Sequence, residues 1–302
     1  MNIIKKSIYG LIKKLKFLPP EVYMKYYYEY YSGKKLDLDN PKEFNQKISW
    51  LKVYYHPPIL TQLVDKYSVR SYVKDKIGEH YLNELIEVYE SAEDVNFDEL
   101  PDQFVIKGVH GFHFNLIVKD KSKLNKKRAR FLMNKWMRKN HYYRGGLEWA
   151  YKNVKPRLIA EKFLSEMDKE VLIDYKFFCF NGEPKFVQID IDRGIHDHRA
   201  FYDLNWNKLS FYNKENPVYP GELTQPETFN EMVEVSRKLA DSFPFVRVDL
   251  YSINGSVLFG EMTFYPSDAR KDFYPSSYND ILGSYLKLPM LPEGQKEITT
   301  IV

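Results

Sequence analysis

FPFVRVDLYSINGSVLFGEMTFYPS, residues 243–267, is the stretch whose reading decides the fold. Two runs of alternating apolar and polar residues flank Asn254-Gly255, the strongest short-range hairpin signal. Each run carries one acid, Asp249 and Glu261. Side chains alternate along a strand, and residues directly opposite share a face, so parity decides whether the acids meet. A two-residue loop would set Asp249 against Gly260 and Glu261 against Val248, with the acids on opposite faces. A three-residue loop, Ile253-Asn254-Gly255, would set Asp249 against Phe259 and Glu261 against Arg247, making the acids diagonal neighbours roughly 7–8 Å apart. This odd loop leaves Val246, Val248, Leu250, Leu258, Met262 and Phe264 on one apolar face, and a buried apolar face fixes register. It is the expected arrangement. The polar face then bears Arg247, Asp249, Glu261 and Thr263. Grouped hard oxygen donors suit Mg2+; an exposed face with an Arg247–Glu261 salt bridge is the bland alternative.

Moving outward, "DYKFFCFNGEPKFVQIDIDR" (174–193) reads as a second hairpin turning at Asn181-Gly182, and "QFVIKGVHGFHFNLIVKD" (103–120) as two strands joined by a loop with Gly108 and Gly111. "PRLIAEKFL" (156–164) is a further strand. Helices are expected from "NPKEFNQKISWLKVYY", with Asn40 as N-cap and Pro41 at the first helical position. "LTQLVDKYSVRSYVKDKIG" is expected to be an amphipathic helix stopped at Gly78. Residues 122–151 are expected to be a basic helix capped by Ser122, and 225–243 a helix led by Pro226 and Glu227. Strands come mostly in hairpins, so the class is α+β rather than a doubly wound parallel sheet. The expected division is a mainly helical region 1–95, a first lobe 96–160 and a second lobe 161–302.

Bulk composition narrows the function. A formal charge of +4, from 45 Lys+Arg and 41 Asp+Glu, is too mild for a dedicated nucleic-acid binder. One cysteine, Cys179, excludes an internal disulfide and fits a reducing, cytoplasmic setting. The 25 tyrosines could stack on sugars or bases, or could be amphipathic packing. Lysines break every apolar run near the N-terminus, so neither a signal peptide nor a membrane span is expected. Ile4, Ile8, Leu11, Ile12 and Leu15 nevertheless recur at helical spacing among Lys5, Lys6, Lys13, Lys14 and Lys16. Such a helix can lie on an anionic membrane, here its inner face, or dock on its own domain.

Further candidate chemistry lies elsewhere. Lys107 leaves a strand toward a glycine-containing loop, a position suited to phosphate, or is simply a surface lysine. Lys176 shares a face with Asp174. "QIDIDRGIHDHRAFYD" concentrates Asp190, Asp192, Arg193, His196, His198 and Arg199. It reads as a metal cluster, an Asp-x-Asp sugar-nucleotide motif, an anion clamp or a polar loop. No Walker loop, Gly-x-Gly-x-x-Gly motif or nucleophile elbow occurs.

In order, Lys107, "RLIAEKFL", "DYKFFCFNGEPKFVQIDIDR" and "VRVDLYSINGSVLFGEMTFYP" resemble the ATP-grasp superfamily. Specifically, they resemble the TupA-like (teichuronopeptide-biosynthesis-like) family of bacterial surface-polysaccharide loci, over roughly residues 35–290. "TQLVDKYSVRSYVKDKIG" and "FDELPDQFVIK" look like that family too. The resemblance implies two α+β lobes clasping ATP and one or two Mg2+ ions. It implies a ligase that activates a carboxylate as an acyl phosphate for attack by an amine. It further implies that Lys107 meets the phosphates, with His110 or His113 as an added donor. Glu161, Lys162, Phe163 and Leu164 would form the adenine-reading hinge, with Asp168 on the ribose. Lys176 would lie near the γ-phosphate, Arg193 and Arg247 on the acyl phosphate, and His198 and Arg199 toward the substrate. Asp249, Glu261 and Thr263 would hold the metal. Two positions depart from the family pattern: Thr263 stands where Asn is usual, and "GVHGFHFN" puts Phe112 and Phe114 where small residues are usual.

Three functions are therefore in play. The first is a carboxylate–amine ligase joining an amino acid or small amine to a uronic acid of a capsular or cell-wall polysaccharide precursor. The second is a glycosyltransferase using Asp190-Ile191-Asp192. The third is a non-catalytic binding shell.

Overall fold

The computed structural model describes residues 3–12, 14–165, 172–191 and 195–301. It is α+β. The chain opens with α1 (Ile3–Ile12), α2 (Pro20–Ser32), α3 (Phe44–Tyr54), α4 (Ile59–Val64) and α5 (Val69–Ile77). The strands β1 (Leu85–Tyr89), β2 (Phe104–Gly108) and β3 (Asn115–Val118) follow. After α6 (Lys126–Met137) and α7 (His141–Arg144) come β4 (Leu158–Lys162), β5 (Asp174–Phe180), β6 (Glu183–Ile191) and β7 (His198–Asp203). The chain ends with α8 (Phe229–Ala240), β8 (Phe245–Ile253), β9 (Ser256–Thr263) and α9 (Ser277–Tyr285).

The strands form two antiparallel sheets, β1-β4-β2-β3 and β7-β6-β5-β8-β9. The first sheet closes on α6 over a small core that includes Phe104, Phe114, Met133 and Trp136. The second sheet is covered by α8 and by the N-terminal helices around a much larger core. Phe44 on α3 shows how they join: its ring lies 5.2 Å from Phe245, 5.9 Å from Phe180 and 6.0 Å from Phe273. The expected boundaries at 95/96 and 160/161 do not follow this grouping. β1 lies before the first boundary yet pairs with β4, and β4 straddles the second.

Several helix ends differ from expectation. α3 starts at Glu43, not Asn40: Glu43 and Gln46 form a reciprocal capping box. The expected helix over 61–78 is two helices split at Asp65, whose carboxylate accepts from the Tyr67 and Ser68 amides. Asn125, not Ser122, caps α6, and Ser122 instead sits in a short 3-10 turn capped by Asp120.

The decisive hairpin reaches the expected face by another route. The turn is the tight one: Ile253 pairs with Ser256, and Asn254 and Gly255 take φ of 49° and 78°. Parity is then shifted by a β-bulge. Leu250 pairs with Phe259, but Asp249 pairs with Glu261 and Arg247 with Thr263, leaving Gly260 as the extra residue. Asp249 and Glu261 are thus directly opposite rather than diagonal. A Cβ on Gly260 would lie 2.9 Å from the Asp249 carbonyl oxygen and 3.1 Å from the Tyr251 ring, so only glycine lets the strands close here. Phe259, not Leu258, accordingly completes the apolar face with Val246, Val248, Leu250, Met262 and Phe264.

Candidate active site

β5, β8 and β9 present their polar face toward the first sheet. Arg247 lies flat along Asp249, donating from Nε to Oδ1 at 2.6 Å and from Nη2 to Oδ2 at 2.7 Å. The same guanidinium donates to the Thr263 hydroxyl at 3.2 Å and lies 3.6 Å from Glu261. From β5, Lys176 donates to Asp249 at 2.8 Å and to Asp174 at 3.2 Å. From the loop before α5, Lys66 donates to Glu261 at 2.9 Å. Asp249 and Lys176 are buried, which is tolerable because each charge is matched. Burial alone would raise the Glu261 carboxyl, but Lys66, then Arg247 and Lys176, hold it well below the usual carboxylate range. Burial would likewise lower Lys176, but Asp249 and Asp174 outweigh it and keep the ammonium charged.

Above this floor, the cleft wall comes from the first sheet. Lys107 on β2 donates to Glu161 on β4 at 2.6 Å, and Arg70 reaches the same carboxylate at 3.5 Å. Lys66, Arg70, Asn83, Lys107, Phe112, His113, Leu164 and Tyr251 line one cavity with Lys176, Asp249 and Glu261. On the other side of Glu261 lies a second chamber of about 510 Å³, reached by Arg247, Thr263, Glu148, Tyr265 and Lys271. Phe112, His113 and Glu261 line both. The arrangement sets four cations (Lys66, Arg70, Lys107 and Lys176) and three carboxylates (Glu161, Asp249 and Glu261) around one polyanion-sized opening, the charge pattern that phosphoryl transfer to an anionic nucleophile needs.

The expected residues are partly gathered here. Lys107, Glu161, Leu164, Lys176, Arg247, Asp249, Glu261 and Thr263 come together. Lys162 instead points to solvent against Glu84, and its backbone is already engaged with Glu84 and Asn83. Phe163 sits beneath the Lys119 ammonium. His110 is turned into the first lobe, with Nε2 on the Trp136 carbonyl, and burial lowers its pKa. Phe114 is likewise core, so only Phe112 of the two loop phenylalanines faces the opening. Arg199 reaches the centre only through Asp190, at 2.7 Å, while His198 sits beside Tyr219. Asp168, Asp192 and Arg193 lie outside the described residues. Asp190 is held by Arg199 and Gln188. Lys66 and Arg70 were missed because "DKYSVR" reads as amphipathic helix; the break at Asp65 that aims Lys66 has no periodicity signal.

Among the described residues no group of three or more His, Cys, Asp or Glu forms a metal cage; Asp192, the acid nearest His196 in that segment apart from Asp197, lies outside them. The facing pair Asp249–Glu261, with the Thr263 hydroxyl, does fit Mg2+, which takes one or two carboxylates and fills its shell with water and phosphate oxygens.

The model of the TupA-like ATP-grasp family matches residues 46–287. No curated protein matches the sequence. Among solved structures, the chain is similar to D-alanine–D-alanine ligase from Bacillus anthracis complexed with ATP (16% identity, TM-score 0.40, 68% of this chain and 55% of that one). It is similar to phosphoribosylamine–glycine ligase from Thermotoga maritima (15%, 0.41, 69% and 50%). It is also similar to the ATP-grasp ligase PsnB complexed with a phosphomimetic precursor variant, Mg and ADP (11%, 0.40, 77% and 62%). The chain thus spans between half and two thirds of these proteins' lengths.

Proposed function

Because the chain belongs to the TupA-like ATP-grasp family, we propose that it is an ATP- and Mg2+-dependent carboxylate–amine ligase. Its carboxylate would belong to a uronic acid of a capsular or cell-wall polysaccharide precursor, and its amine to an amino acid or small amine. The observation that carries this reading is the facing Asp249–Glu261 pair, flanked by Arg247, Lys176 and Lys66 at a cleft between two sheets.

The chemistry balances simply. The substrate carboxylate attacks the γ-phosphorus of ATP, giving an acyl phosphate and ADP. The amine then attacks the acyl carbon, phosphate leaves, and the ammonium proton goes to solvent or phosphate. Like charges must meet in the first step. Lys176 and Lys66 carry positive charge to that point, and Arg247 is positioned to hold the carboxylate from the second chamber. Asp249 and Glu261, with the Thr263 hydroxyl, would hold Mg2+, which would supply Lewis-acid neutralisation of phosphate charge. Lys107 would reach the phosphates after releasing Glu161, and the Glu161–Leu164 segment would border the adenine.

The test mixes protein, MgATP, a uronic acid and an amine, and follows ADP release together with amide formation by mass spectrometry. Absence of nucleotide binding with or without Mg2+ would refute the reading. The Asp-x-Asp glycosyltransferase reading would need Asp190, which accepts from Arg199 and Gln188, together with Asp192, which lies outside the described residues.

We also propose peripheral contact with the inner membrane face through α1. Ile8, Leu11, Leu15 and Phe17 are exposed beside Lys14. No described helix is long and apolar enough to cross a membrane.

A further inference from the structure

We propose that the groove running from α2 into the second chamber seats a carboxylated sugar chain, so that the acceptor is a polymer gripped over several residues. This rests on the ligase reading above, whose reactive centre the groove enters.

The groove encloses about 560 Å³ between Lys14, Tyr31, His141, Tyr143, Arg144 and Arg270. Tyr31, Phe112, Asp268 and Arg270 line both it and the chamber holding Arg247 and Thr263, so the two spaces adjoin. Their joint extent exceeds what one sugar ring needs.

Its chemistry is anionic-glycan chemistry. Cations dominate, because the acid among them, Asp268, is already satisfied. It takes the Lys52 ammonium and the Tyr27 hydroxyl, it accepts from the Gly146 amide at 3.0 Å, and the Arg270 guanidinium lies 3.5 Å from it. The Arg144 guanidinium lies over the Phe112 and Phe114 rings at 5.8 and 5.4 Å, and that of Arg270 over Tyr31 at 4.9 Å. A guanidinium stacked in this way is oriented in advance for a carboxylate. Tyr31 and Tyr143 are 39% and 51% exposed, offering rings with a polar tip to a sugar face.

An independent observation points to a ligand. His141 is 1% exposed and lines the groove, yet neither ring nitrogen has a hydrogen-bond partner; the nearest acid, Glu148, is 3.9 Å away. Buried polar groups are almost always paired. Burial, reinforced by Arg144, lowers its pKa to about 4, so the ring is neutral and offers one donor and one acceptor on diverging edges, each open to a separate polar partner. The passage itself is shaped by backbone strain. Ser267, Asp268 and Ala269 all adopt positive φ, of 50°, 57° and 55°. Such strain persists where the surroundings over-determine it, and the Asp268 contacts do so.

The test uses the full chain and isothermal titration with galacturonic acid, its hexamer, a neutral galactose hexamer and inorganic polyphosphate. The galacturonate hexamer is expected to bind at least about tenfold tighter than the monomer, and the neutral hexamer not measurably. Arg144→Gln and Tyr143→Ala, both at exposed positions, are expected to weaken the hexamer roughly five- to tenfold while leaving monomer and MgATP affinities and melting temperature unchanged. Equal binding of monomer and hexamer, polyphosphate binding as tight as the hexamer, or variants without effect would each overturn the proposal. Hexamer binding as expected without MgATP binding would support the groove and overturn the ligase reading.

Discussion

Asp249 is the residue on which the site's charges balance. It is buried and accepts from Arg247 and Lys176. Removing it strands two cations, and a broken buried pair costs roughly 3–5 kcal/mol. Asp249→Ala should lower unfolding stability by that order in urea titrations, and Asp249→Asn by less; both should reduce ADP formation at least ~100-fold. Glu261 makes a different prediction. A carboxylate with a lowered folded pKa stabilises above its unfolded pKa and loses that contribution as pH falls through the folded one. Since Lys66 and Arg247 depress Glu261, wild type and Glu261→Gln should differ by a constant stability between pH 6 and 8, and the difference should begin to shrink only below about pH 4, closing as pH falls through the depressed folded value. Melting temperatures across pH would show this; a difference that changes between pH 6 and 8 would contradict it. At this scale Asp249 and Glu261 were legible, because an acid within an alternating apolar run must be accounted for. Lys66, Arg70 and the inward turn of His110 were not, since each depends on where a loop aims a side chain.

At the scale of the element, a turn of odd length and a bulge within the strand shift parity equally, so the apolar alternation cannot distinguish them. The local signal was a glycine inside a strand, Gly260, which usually marks a bulge or close backbone approach. Gly260→Val should force the Asp249 carbonyl and Tyr251 ring apart, destabilising by about 1–3 kcal/mol and lowering turnover even where the fold survives. Urea midpoints paired with ADP release would separate the two effects; an unchanged turnover would mean the bulge does not position Glu261. Other elements were read from chemistry that did act: the Asn181-Gly182 turn formed where expected, while Asn254-Gly255 formed a two-residue turn in place of the expected three-residue loop. The α3 start was misplaced because Asn40-Pro41 resembles a cap, while Glu43 and Gln46 supply one.

For the whole molecule, α3 of the N-terminal helical region is stitched into the second lobe by Phe44. Phe44→Ala should cost about 3–5 kcal/mol and should lower the melting of the second lobe, read from its buried tyrosines. The first sheet was illegible as a unit because β1 and β4 are far apart in sequence, and five residues of LIEVY give little pattern against the helices before them. The membrane proposal is tested by substitution: Leu11→Ser with Phe17→Ser should abolish co-sedimentation with anionic vesicles, and unchanged pelleting would refute it.

Because the shift of phase lies inside β9, the Asn254-Gly255 turn itself has only to close the hairpin and stands well away from the carboxylates. Gly255 is exposed, with open space where a Cβ would stand. The tip is therefore a grafting point: a tag or reporter peptide inserted there would ride outside the working parts, giving a handle for immobilisation while the chemistry beneath continues.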